Sequence, residues 1–271
     1  MQNKKRGQVT IFVIIAIVIV IGIAAYFILT KQEKATTLDP VENPVGYIED
    51  CMKLSTQKVL PSITRSGGLL APKKAFYFNE TNVTMVCSSM GYGKLCTNRH
   101  PMISVEIENQ IIKSIKPSVD SCFAKLKTSF KNYDYREIGN TSYLNIDIVS
   151  GMIIVKADKK ISYTKNSQTS MINGFNSKVN SDLYDFIIIQ NKILNEEVSC
   201  DCEMESCHAY QTRSEIDGSK FGVTNFVASV GNPKFGDGEE VYTIKSINTQ
   251  EEFNFALRNC VRAPYGYGGA S

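Results

Sequence analysis

The densest reactive stretch of the chain is Cys200-Asp201-Cys202-Glu203-Met204-Glu205-Ser206-Cys207-His208. Three thiolates and an imidazole could hold a tetrahedral zinc ion. The spacing argues against this, because a zinc knuckle leaves two residues between paired cysteines and Cys200 and Cys202 leave one. Oxidation to disulfides is the favoured chemistry. The other cysteines are Cys51, Cys87, Cys96, Cys122 and Cys260, making an even count of 8. Eight thiols allow 105 pairings, and spacing narrows them only in part. Cys87 and Cys96 bracket a loop with two glycines, which favours a local bridge. Cys51 and Cys122 fall on two predicted helices that a bridge would staple together. Cys200, Cys202, Cys207 and Cys260 remain, which would tie the last segment back onto the region near residue 200.

Elsewhere the reactive residues are sparse. His100 sits in Asn98-Arg99-His100-Pro101 with no nucleophile motif beside it and reads as a surface loop histidine. Asp237, Glu239 and Glu240 crowd one glycine-rich loop, where a solvated hairpin turn is a better reading than a weak calcium site. There is no phosphate-binding glycine loop, no G-x-S-x-G, no H-E-x-x-H and no kinase signature. These observations point to no catalytic residues, no cofactor and no resident metal. The sequons Asn79-Glu80-Thr81, Asn82-Val83-Thr84 and Asn140-Thr141-Ser142 make Asn79, Asn82 and Asn140 glycan acceptor candidates.

Disulfides and glycans both require export, and the N-terminal region carries a signal for it. Val9 to Leu29 are 21 residues without Asp, Glu, Lys or Arg. As a helix they would span about 31 Å, the thickness of a bilayer's hydrocarbon core. The eight isoleucines and four valines in this run do not oppose a helix in lipid, where the backbone has no water to bond. The apolar run continues through Gly22-Ile23-Ala24, which otherwise resembles a leader cut site, so a retained anchor is the expectation. Lys4, Lys5 and Arg6 precede the run and mixed charges follow it, placing the N-terminus in the cytoplasm and the rest outside. Beyond residue 30 the chain has 27 basic and 27 acidic residues, a balance that argues against a nucleic-acid partner.

Lys5-Arg6-Gly7-Gln8 before the apolar run resembles the class III signal segments of archaeal type IV pilins and related surface proteins. That resemblance implies processing between Gly7 and Gln8 and a helix that can enter a filament. Many members carry a Glu at the fifth position after the cut, and Phe12 stands there in this chain. The wider layout, an anchor followed by the Cys51 helix, Ser66-Gly67-Gly68 and the Cys122 helix, is similar to uncharacterised archaeal single-pass membrane proteins. The likeness implies topology, with membrane lipid, other cell-surface proteins or further copies of the chain as partners. A structural or adhesive surface protein is therefore the leading expectation, and a pilin-like filament subunit the alternative.

The elements that must position these residues are legible in outline. The expected organisation is a cytoplasmic flank (1–8), a transmembrane helix (9–29), a stalk (30–43), an α+β ectodomain of helices and antiparallel sheet (44–199), a Cys-rich β segment (200–264) and a flexible tail (265–271). Asn43-Pro44 opens a helix, which Ser66-Gly67-Gly68 stops. Short strands at 75–78 and 83–86 follow, then a helix marked by Ile103, Ile107, Ile111 and Ile115 that runs on past Pro117. Alternation over 142–164, with a turn at Ser150-Gly151, predicts an antiparallel meander. Phe175, Val179, Leu183, Phe186, Ile187 and Leu194 predict a long helix from about Ser170 to Glu196. Three more strands should lie in GVTNFVASV, EVYTIKSI and FNFALRNCV.

Overall fold

The computed structural model describes residues 39–89, 94–199, 220–229 and 238–258. The predicted flank with Gly7 and Gln8, the 9–29 span, most of the stalk, Cys200, Cys202, Cys207, Cys260, Asp237 and the 265–271 tail lie outside them. Among the described residues no helix is long and apolar enough to cross a membrane. From Pro40 onward the described residues belong to one unit of α+β architecture.

Helix α1 (Pro44–Arg65) begins as its sequence dictates. The Asn43 side chain accepts the Gly46 N–H at 2.9 Å, and Pro44 occupies the first turn, where no backbone donor is needed. Ile48, Met52, Thr56, Leu60 and Ile63 form its buried stripe. Its end is a Schellman closure: Gly68 N–H bonds Ile63 C=O at 2.8 Å and Gly67 N–H bonds Thr64 C=O at 3.1 Å. Both glycines have positive φ, +72° and +96°. A Cβ at Gly67 would come within 2.5 Å of the Asn254 carbonyl oxygen, and one at Gly68 within 2.5 Å of Ile107 Cγ1. Both therefore serve close packing as well as the turn.

Helix α2 (Ile103–Ser129) is continuous through Pro117 and buries Ile103, Ile107, Ile111, Ile115, Val119, Phe123 and Leu126 at nearly regular four-residue steps. It packs against α1. The hairpin of β1 (Ala75–Phe78) and β2 (Thr81–Ser88) turns at Asn79-Glu80, both with positive φ as a primed turn requires. The short β3 (Thr97–Asn98) pairs with β2.

Strands β4 (Asp134–Val149), β5 (Met152–Lys165) and β6 (Gln168–Asn180) form a three-stranded antiparallel sheet. The expected helix from Ser170 is therefore corrected: residues 168–180 are strand, and α3 spans only Leu183–Ser199. Phe175 and Val179 are four residues apart, a separation that suits both periods. The intervening Ser177 is buried with them while Asn176 and Lys178 are exposed, which is strand alternation. Asn166-Ser167, both at positive φ, supplies the β5–β6 hairpin turn.

Strands β7 (Phe221–Ser229), β8 (Gly238–Ser246) and β9 (Glu252–Arg258) form an antiparallel meander as expected. β9 then lies parallel to β2, giving the order β1-β2-β9-β8-β7 in a six-stranded sheet with β3 attached to β2. The sheet is mixed, which corrects the purely antiparallel expectation. One large core fills the space between the helices and the inner faces of both sheets. On its six-stranded side Tyr242 stacks on Phe255 and Phe186 on Phe253, with Phe253 tilted against Phe255.

Candidate functional site

The predicted cysteine chemistry is visible at two places. Cys51 of α1 bonds Cys122 of α2 across a sequence separation of 71, with Cα atoms 6.6 Å apart. Cys87 of β2 bonds Cys96, 9 residues on, at a Cα separation of 5.4 Å. Asn79 lies exposed in the β1–β2 turn, Asn82 lies exposed beside it on β2, and Asn140 falls within β4. His100, expected as a loop histidine, is mostly buried; its Nδ1 stands 2.7 Å from Glu106 Oε2 in the first turn of α2. Glu240 from the acidic loop is engaged in the fold. The Tyr242 hydroxyl donates to Glu197 Oε1 at 2.8 Å and lies 3.1 Å from Glu240 Oε2. Burial and these two carboxylates push the Tyr242 phenol well above its ordinary value. Among the described residues, no three of His, Cys, Asp and Glu gather as a metal site.

The structure assembles two groupings that single-sequence patterns did not suggest. The first lies where α2 meets β4 and β5. Tyr143 donates to Asp120 Oδ1 at 2.5 Å, Lys116 Nζ lies 2.8 Å from Asp120 Oδ2, and Lys159 pairs with Glu137. The Lys159 ammonium stands 4.3 Å from the Phe123 ring centroid and 4.4 Å from that of Tyr143, within cation–π range of both. Desolvation raises the Asp120 pKa, but the Lys116 and Tyr143 hydrogen bonds with the Lys116 and Lys159 charges outweigh it and hold the carboxyl below its ordinary range. This network closes on itself and anchors the sheet to the helix.

The second grouping is a cleft of about 390 Å³ between α1, the end of β6 and the β8–β9 turn. Leu60, Pro61 and Val179 provide apolar surface, and Gln57, Asn180 and Thr64 add polar groups. Arg65 brings a cation to one wall, and Glu251 and Glu252 bring carboxylates to the other. Glu251 accepts from the Asp182 N–H at 2.8 Å and from Ser181 Oγ at 3.1 Å, which fixes the turn against the start of α3. Burial raises its pKa against those two hydrogen bonds, and the neighbouring Asp182 charge adds to the rise.

No family model, curated protein or solved structure matches the chain.

The cleft sets opposed charges, side-chain amides and hydroxyls around a small apolar floor. Among its lining residues there is no Ser, Cys or His to act as a nucleophile or a base of ordinary neutral pKa. Sequence reading missed it because Arg65, Asn180 and Glu251 come from elements more than 70 residues apart. Glu251 did carry a faint signal, following Asn248-Thr249-Gln250 in an evident turn between two strands.

Proposed function

We propose that the chain is a single-pass, membrane-anchored surface protein whose part beyond the Val9–Leu29 span lies outside the cytoplasm and serves a structural or adhesive, ligand-binding role. The observation that carries this reading is the pair of disulfides Cys51–Cys122 and Cys87–Cys96. Disulfides persist in oxidising compartments and are rare where thiols are kept reduced. The basic flank and uninterrupted apolar run supply the route outward. The exposed sequon residues Asn79 and Asn82 fit the same topology, and the polar cleft beside α1 offers a concave surface that a ligand could occupy. The test is fractionation of expressing cells with protease treatment of intact cells. Membrane-bound protein trimmed from outside supports the reading, and full-length protein in the soluble cytosolic fraction overturns it.

A second reading, a filament subunit processed between Gly7 and Gln8, is favoured by Lys5-Arg6-Gly7-Gln8 and disfavoured by Phe12, which offers a terminal amine no charged partner. Mass spectrometry of the mature N-terminus separates the two. Sheared filaments containing a chain that starts at Gln8 would establish the second.

A further inference from the structure

We infer that a basic groove at the entry end of the α1–α2 pair binds the phosphate headgroups of anionic membrane lipids; this rests on the anchored reading above. The groove, about 640 Å³ and open to solvent, is lined by Pro40, Tyr47, Ser121, Lys125, Thr128 and Lys131, with Ala124 and Ser129 between them. No carboxylate is among these residues. Lys125 and Lys131 are exposed. The carbonyl end of a helix carries about half a negative charge, which draws lysines to it, and two ammonium groups exceed that charge and leave the groove positive. The Ser121 hydroxyl and the Tyr47 side chain border the same space.

Position decides between sources of phosphate. Pro40 begins the folded unit and itself lines the groove. Ten residues, Thr30 to Asp39, separate it from the end of the apolar run. Even fully extended they reach only about 35 Å, which on the anchored reading bounds the distance from Pro40 to the bilayer. The sequon hairpin is held at the other end of the helix pair. Thr84 N–H bonds the Ser66 carbonyl beyond the end of α1, and Gly68 packs on Ile107 near the start of α2. From Ile107 to Lys125 the helix rises about 27 Å. The acceptors Asn79 and Asn82 stand at the far end from the lysines, while Asn140 lies on β4 three residues before Tyr143, which meets Asp120 toward the lysine end. On an anionic surface each lysine gains about five-fold in local affinity.

The test is lysine acetylation of the full chain, read by mass spectrometry after reconstitution in nanodiscs. One set of discs is phosphatidylcholine alone and the other contains phosphatidylglycerol. Lys125 and Lys131 should react about five-fold more slowly in the anionic discs, with exposed Lys178 and Lys192 unchanged. Equal rates in the two disc types, with the chain inserted, overturn the inference. Equal slowing by inorganic phosphate added to phosphatidylcholine discs also overturns it, in favour of a free anion. Failure of the chain to insert in either disc removes the anchored reading itself, a separate outcome.

Discussion

Tyr143 on β4 and Asp120 on α2 meet through a 2.5 Å hydrogen bond, and this contact joins the three-stranded sheet to the longest helix among the described residues. Replacing the phenol hydroxyl leaves Asp120 paired with Lys116 alone. Tyr143→Phe should cost about 1 kcal/mol, below the usual range for a charged acceptor because Asp120 is nearly half exposed. The Asp120 pKa is depressed in the fold, so its stabilisation is present above the ordinary value of 3.8 and is lost as pH falls through the folded pKa. Urea titrations of both proteins should converge at the acid end, and a difference that grows on acidification would refute the assignment.

Glu251 carries the opposite sign. Its pKa is raised, so its carboxyl favours the folded state below the ordinary value of 4.5, and that contribution is lost as pH rises through the folded pKa. Glu251→Gln keeps an oxygen for the Asp182 N–H and removes the buried charge. The variant should be more stable than wild type at neutral pH, with the advantage gone near pH 4. Thermal melts across that range check it; a variant less stable at neutral pH contradicts it.

The two disulfides should differ in weight. On the loop-entropy account, a bridge spanning 71 residues contributes about 4 kcal/mol and one spanning 9 about 2.5 kcal/mol. Paired alanine variants at Cys51 and Cys122 should therefore lose more Tm than those at Cys87 and Cys96. The reverse order would mean that native packing, not unfolded-chain constraint, sets the difference.

Gln190 is buried to 1% exposure on α3, and neither its Oε1 nor its Nε2 has a hydrogen-bond partner. An unsatisfied buried amide costs about 1–3 kcal/mol. Gln190→Met retains the length, removes both polar atoms and should raise Tm. A lowered Tm would show that the amide is satisfied in solution, by water or another group.

Much of the fold was legible where local chemistry decides conformation. Asn43-Pro44, Ser66-Gly67-Gly68 and the isoleucine ladder of α2 mark their helices because caps and four-residue periodicity act within a single element. The failure at 168–180 has the same origin: Phe175, Val179 and Leu183 fit a helical stripe, and only the Asn166-Ser167 turn signalled that the meander had a third strand. The Cys51–Cys122 and Cys87–Cys96 pairings were recoverable because one joins recognisable helices and the other closes a short loop. The Glu251 cleft and the Lys159–Phe123–Tyr143 contacts were not, since their residues meet only through sheet registers with bulges at Gly139/Leu144 and Ala157/Lys160.

The parallel joint between β2 and β9 brings Met85 opposite Ala256. As the chain is synthesised from its N-terminus, the first of these residues emerges long before the second. The N-terminal hairpin therefore waits with one strand edge unpaired until nearly the whole chain has been made. Such long-range pairing is slow, and an open apolar edge invites association with neighbouring chains. Biogenesis is thus the vulnerable stage for this molecule, and truncations that remove β9 should be found as aggregates or degradation products rather than as shortened folded proteins.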